Sequence, residues 1–168
     1  MQIDIVYNKI IVPIDFSDTS RRAFYIALKY AKVFDADTNV LHVVEPLDTF
    51  DSSSRVEAQT AEIARAEEGV KRRVDELFER AGLAEVDRRR VNISIRGGKP
   101  WKEILQYAYD ESADLIVMGS HGHTSFKDIL LGSTTERVVR KASCHVLCVK
   151  PDDYEYEPVA IPDKYKSV

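Results

Sequence analysis

A chain of 168 residues, 44% hydrophobic and 31% charged, fits a single globular domain with a sizeable core. Its formal net charge of −4 offers no field to nucleic acid, and no apolar run reaches the ~18 residues that a membrane span needs. The opening "MQIDIVYNK" lacks the basic-then-apolar layout of a secretory signal, and two cysteines, Cys144 and Cys148, make no disulfide framework. On one strand they would lie roughly 13 Å apart, too far for a bridge. They read as buried thiols of a cytoplasmic protein.

In chain order, "KIIVPI" (Lys9 to Ile14) is a short apolar run, the mark of a strand covered on both faces. "DFSDTS" follows, with Ser17 or Asp18 placed to cap a helix. The inner face of that helix is Ala23, Phe24, Ala27, Leu28, Ala31 and Phe34. "TNVLHVV" (Thr38 to Val44) is the second strand. A long helix is expected from about Arg55 to Ala81, with the stripe Ile63, Ala66, Val70, Val74, Leu77, Phe78 and Ala81 and with Gly82 as its C-cap. Arg88-Arg89-Arg90 reads as a solvated connection. "VNISI" (Val91 to Ile95) alternates as a third strand, Gly97-Gly98 turns the chain, and Pro100 suits the first turn of a helix. Trp101, Ile104, Leu105 and Ala108 would face inward there. "DLIVM" (Asp114 to Met118) is the fourth strand, and a helix from about Ser133 to Lys141 carries Val138 and Val139. "HVLCVK" (His145 to Lys150) is the fifth strand. His42 and His145 fall on strands and read as core or interface groups. Strands alternating with helices imply a parallel sheet with right-handed crossovers. Residues 1–150 form the domain. Residues 151–168, with three prolines and alternating Tyr and acid, form a tail that is loosely ordered or laid over a partner subunit.

Ligands of open parallel sheets bind beyond the carboxyl ends of the strands, where the strand order reverses. Two strands end in unusual chemistry: the first in Pro13-Ile14-Asp15, the fourth in Met118-Gly119. As neighbours they would face one crevice. Gly119, Gly122 and Gly132, three of the seven glycines, follow closely. Glycine permits φ > 0 and close backbone approach, so that several N–H groups can converge on an anion. Gly132-Ser133 opens a helix whose N–H groups and dipole favour phosphate. Ser133 and Glu136 also have the spacing of a capping box, which needs no ligand, and an inward Glu136 would weaken an anion site. Asp15 can accept from ribose hydroxyls, bind Mg²⁺ through water, or simply serve as a helix-cap acid. His121 and His123 have no third ligand of suitable spacing and read as loop polar groups, with no metal site. The lysine of a P-loop is missing. A phosphoacceptor domain would need an aspartate where Ile95-Arg96-Gly97-Gly98 stands.

The spacing Gly119-x2-Gly122-x9-Gly132-Ser133 resembles the ATP-binding signature of the universal stress protein family. The likeness covers residues 9–150, through "VPIDFSDTSRRAFYIAL", "LHVVEP" and "GSHGHTSFKDILLGSTTERVVRKASCHVLCVK". The resemblance implies an α/β three-layer sandwich with an open five-stranded parallel sheet, order 3-2-1-4-5, Rossmann-like and similar to the adenine nucleotide alpha hydrolases. That order sets the first and fourth strands side by side. It implies that Pro13, Asp15 and Val43 surround adenine and ribose with Met118 nearby, and that Gly119, Gly122, Gly132, Ser133 and Thr134 hold ribose and phosphates. ATP with Mg²⁺ would be the ligand. A homodimer would form through strand 145–149 as an antiparallel edge. His123 departs from the family's usual Lys or Arg, Thr134 from its usual valine, and the tail extends past the family domain.

The function so implied is a dimeric, ATP-binding stress-response regulatory module, read by a protein partner whose identity the sequence does not carry. A slow ATP hydrolase and a nucleotide-free dimeric scaffold are the alternatives. Efficient hydrolysis needs cations and a group that orients water. Ser120, His121, His123, Thr124 and Ser125 precede the first loop lysine, Lys127, an inventory suited to holding phosphates. Weak hydrolysis is the most that is expected.

Overall fold

The computed structural model describes residues 6–45, 52–82, 88–122 and 131–152, with side chains from Thr60 onward in the second segment. Strands and helices alternate as β1 (Lys9–Pro13), α1 (Asp18–Phe34), β2 (Asp37–Val44), α2 (Ser52–Ala81), β3 (Val91–Gly97), α3 (Pro100–Asp110), β4 (Leu115–Gly119), α4 (Ser133–Lys141) and β5 (His145–Val149). All five strands are parallel, in the order β3-β2-β1-β4-β5. The chain winds outward from β1 through β2 to β3, then returns to the other flank of β1 for β4 and β5. This is the α/β sandwich that the alternation and the resemblance lead one to expect.

Strand pleating divides the apolar residues between two layers. Ile10, Val12, Val40, Leu115 and Val117 face α1 and α2, while Ile11, Leu41, Ile116 and Met118 face α3 and α4. Being central, β1 is covered on both sides, which accounts for its unbroken apolar run. On α1, Ala23, Phe24, Ala27 and Leu28 are buried as the periodicity predicts, and Phe24 meets Phe78 of α2 edge-on at 5.3 Å. On α3, Ile104 and Ala108 are joined by Tyr107, whose hydroxyl pairs with Ser94 Oγ at 2.7 Å. Tyrosine at a helix position reads as polar until a strand hydroxyl is found opposite it.

Two expectations need correction. The α2 stripe is buried at Val70, Val74, Leu77 and Phe78, but Ile63 lies outside the core and Ala81 is exposed. A 30-residue helix runs about 45 Å, longer than the strands it covers, so the ends of its stripe leave the sheet. At the far end Gly82 adopts φ 58 and its N–H donates to the Glu79 carbonyl, closing the helix as expected. The thiols of Cys144 and Cys148 are half-buried, and burial pushes both above the usual thiol range. His145 is exposed, with its Nδ1 3.1 Å from the Tyr7 hydroxyl.

Arg88 and Arg90 form exposed ion pairs with Asp75 and Asp35. Asp152 pairs with Arg22, and the tail beyond it lies outside the described residues. No described helix is long and apolar enough to cross a membrane. Phe24 is 0% exposed and joins two helices, so Phe24→Ala is expected to cost about 3–5 kcal/mol, measured by urea unfolding.

Candidate functional site

The crevice begins with the pairing of β1 and β4, Ile10 beside Leu115 and Ile11 beside Ile116. From these neighbours the chain departs in opposite directions, which leaves a gap beyond their carboxyl ends. After Pro13 the Ile14 N–H still donates to the Leu41 carbonyl at 2.8 Å, and His42 Nδ1–H donates to the Ile14 carbonyl at 2.7 Å. Phe16 then turns the chain at φ 66, a left-handed conformation that costs an aromatic residue about 1–3 kcal/mol. Burial of its ring to 2% exposure offsets that strain, and the Arg73 guanidinium lies over the ring at 3.8 Å. The turn brings Ser17 back to Asp15. Oδ1 of Asp15 accepts from the Ser17 N–H at 2.9 Å and from Ser17 Oγ–H at 2.6 Å. Ser17, and not Asp18, caps α1 by accepting from the Ser20 N–H.

The opposite wall comes from the end of β4. Gly119 is pressed against α1: a Cβ there would stand 2.6 Å from Thr19 Oγ1 and 3.0 Å from the Ser20 nitrogen. Thr19 donates to the His121 carbonyl, and Thr135 of α4 donates to the Gly119 carbonyl at 2.9 Å. The Ser120 N–H donates to Val149, and the Gly132 N–H donates to Ser120 at 2.7 Å. Residues 119–122 are thus clamped between two helix N-termini. A Cβ at Gly122 would come 2.7 Å from Asp15 Oδ2, and one at Gly132 would lie 3.3 Å from the Ser120 carbonyl oxygen and 4.0 Å from the Gly122 nitrogen. None of these three glycines has a positive φ, so close approach alone explains their side-chain-free character.

The capping box is not formed. Gly132 is the N-cap of α4, Ser133 is its first helical residue, and Glu136 pairs with Arg140 at 3.0 Å. A glycine cap supplies no side-chain acceptor to the opening N–H groups, and the Glu136 carboxylate is engaged by Arg140. Ser133 is exposed and Thr134 half-buried at this terminus. Register and pleating place Pro13, Val43 and Met118 at the same end of the sheet, on the face that carries Leu41 and Ile116. Met118 and Val43 pack into that core.

Asp15, Gly122 and Gly132 therefore meet, with Ser133 and Thr134 opening the helix beside them. Gly119 serves packing against α1 instead. Sequence reasoning missed Thr19 and Thr135 as clamps. Their clusters "DFSDTS" and "GSTTE" signal caps, but nothing local announces a bond from Thr19 to a residue 102 positions away. Ser120 Oγ pairs with His121 Nδ1 at 2.8 Å; His123, Thr124, Ser125 and Lys127 lie outside the described residues. Among the described residues no group of three His, Cys, Asp or Glu side chains gathers where a metal ion could be held.

A doubly wound parallel sheet with glycines at the close contacts of its switch point defines a Rossmann-like α/β protein. The profile of the Universal stress protein family matches residues 6–150, and the chain belongs to that family. A universal stress protein of Methanocaldococcus jannaschii is 34% identical over 147 residues, covering 86% of this chain and 83% of its own length. The structure of a universal stress protein from Lactobacillus plantarum is 29% identical with a TM-score of 0.71, covering 87% of this chain and 99% of that one. A universal stress protein in complex with cAMP shares the fold at a TM-score of 0.61 and 23% identity, over 86% of this chain and 98% of that one.

The two glycine contacts separate in a substitution test. Gly119→Ala meets backbone and a Cβ that cannot swing away, and is expected to cost about 1–3 kcal/mol in urea unfolding. Among the described residues Gly122→Ala meets the end of the Asp15 side chain alone, and the same measurement should show a loss of about 0.5 kcal/mol or less.

Proposed function

We propose that the crevice binds ATP, and that the protein is a nucleotide-binding regulatory module and not an efficient hydrolase. The observation that carries this reading is the Asp15 carboxylate facing Gly122 across a gap too small for a methyl group, with Gly132 and the uncapped start of α4 alongside. An acid beside a phosphate site needs a cation or hydroxyls to meet it. Ribose hydroxyls can donate to Oδ2, and the phosphates then lie over the amides of 119–122 and 132–134. Pro13, Val43 and Met118 supply the apolar surface for adenine. A single carboxylate also suits Mg²⁺, which keeps several waters and takes one or two carboxylates plus phosphate oxygens. Asp15 would hold it, and the ion would offset phosphate charge.

The inventory of the crevice favours holding phosphates over cleaving them. Residues 13–20, 118–122 and 131–135 include no Lys or Arg, and phosphoryl transfer depends on cations placed where charge develops. The signal read by a partner would then be occupancy itself. The edge position of β5 supports assembly of a homodimer through 145–149, since an unpaired parallel edge offers N–H and C=O groups to a second copy.

At one hundred times its dissociation constant ATP should stabilise the chain by roughly 2.7 kcal/mol, a rise of roughly 5–10 °C in Tm. Gly132→Val should abolish the rise and Gly122→Ala should lessen it. Equal shifts in wild type and Gly132→Val would place the nucleotide elsewhere. Fast multiple-turnover release of phosphate would favour the hydrolase.

A further inference from the structure

At the end of the sheet opposite the crevice, a groove of about 610 Å³ opens between the C-terminal turns of α1 and α2 and the starts of β2 and β3. Its volume lies within the range of small-molecule sites. Along α1 the lining residues are Tyr25, Leu28, Lys29 and Lys32, spaced so that they share one helix face. Ala31, Ala36 and Ala81 leave the space between the helices open. This is why Ala81, in register with the buried stripe of α2, is exposed.

Two independent features mark the groove as more than a packing gap. Pleating sets Thr38 on the same face of β2 as Val40, so its side chain lies in the layer between the sheet and α1–α2. Thr38 is 1% exposed, it lines the groove, and among the described residues its Oγ1 has no hydrogen-bond partner. Buried hydroxyls ordinarily find one. The second feature is charge. Arg90 is engaged by Asp35, but no ion pair is found for Lys29, Lys32 or Arg80 among the described residues. One cation at each helix C-terminus would complement the dipoles. A third, set over an apolar wall with an unpartnered hydroxyl, exceeds that requirement.

We infer that this groove is a second ligand site, for an amphipathic anion with one acidic head and an apolar body. The head accepts from Thr38 Oγ1–H, with Lys29, the cation beyond the two that complement the helix dipoles, lining the same space. The body lies along Leu28, Ala31 and Tyr25. The site is independent of the nucleotide reading, since it shares no residue with the crevice.

Dodecanoate, below its micelle concentration, is the probe, titrated by calorimetry into the full chain at low salt with and without ATP. One equivalent should bind saturably, ATP should not displace it, and dodecanol should bind at least tenfold more weakly. Thr38→Val removes the unpaired hydroxyl at constant shape. It should leave Tm unchanged or raised while weakening dodecanoate about tenfold, a split that a purely structural threonine would not produce. Lys29→Glu should weaken binding by tenfold or more, and Ala31→Trp should abolish it. The inference falls if dodecanoate fails to saturate, if dodecanol binds equally well, if the variants bind as wild type does, or if ATP displaces the probe.

Discussion

The Asp15 carboxylate and the α-carbon of Gly122 occupy a space with no room for a methyl group, and the crevice is organised around that contact. It exists because β1 and β4 are neighbours while their following segments part. On one side, the left-handed turn at Phe16 aims the carboxylate and lets Ser17 hold one of its oxygens. On the other, hydroxyls from two helices fix the backbone: Thr19 takes the His121 carbonyl and Thr135 the Gly119 carbonyl. A backbone surface can meet a charged ligand only if it is held still, and these bonds hold it without placing a bulky side chain in the gap.

The layers on either side of the sheet contribute differently. The α1–α2 side carries the larger apolar cluster, including Phe24 and Phe78, and anchors the strained Phe16. The α3–α4 side is smaller and ends at Met118 and Val43, near the mouth of the crevice. Both helices that flank the crevice, α1 and α4, present their N-termini to it. They are capped differently: α1 by the Ser17 side chain, α4 by a glycine that has no side-chain acceptor to offer its first N–H groups. Of the two, the α4 terminus is the one whose cap suits an anion, and the Glu136 carboxylate is engaged by Arg140.

The opposite end of the same sheet shows how helix length shapes surface. Because α2 outruns the strands, its stripe emerges from the core at Ala81, and small residues there leave an opening that α1 does not fill. A buried hydroxyl without a partner among the described residues then lines a space rimmed by cations.

Periodicity located the described strands and the long described helices to within a few residues, because covered strands must be apolar throughout and amphipathic helices must repeat every three or four positions. The order of the strands followed from the resemblance, and the glycine spacing pointed to the crevice. What the linear chain withheld was contact between distant segments. Whether Ser133 or Gly132 caps α4, which way Glu136 turns, and that Gly119 meets Thr19 while Gly122 meets Asp15 depend on where two helices dock. Local patterns encode the propensity of a segment and the side it buries. The distance between two groups some hundred residues apart is set only when the sheet brings their strands together.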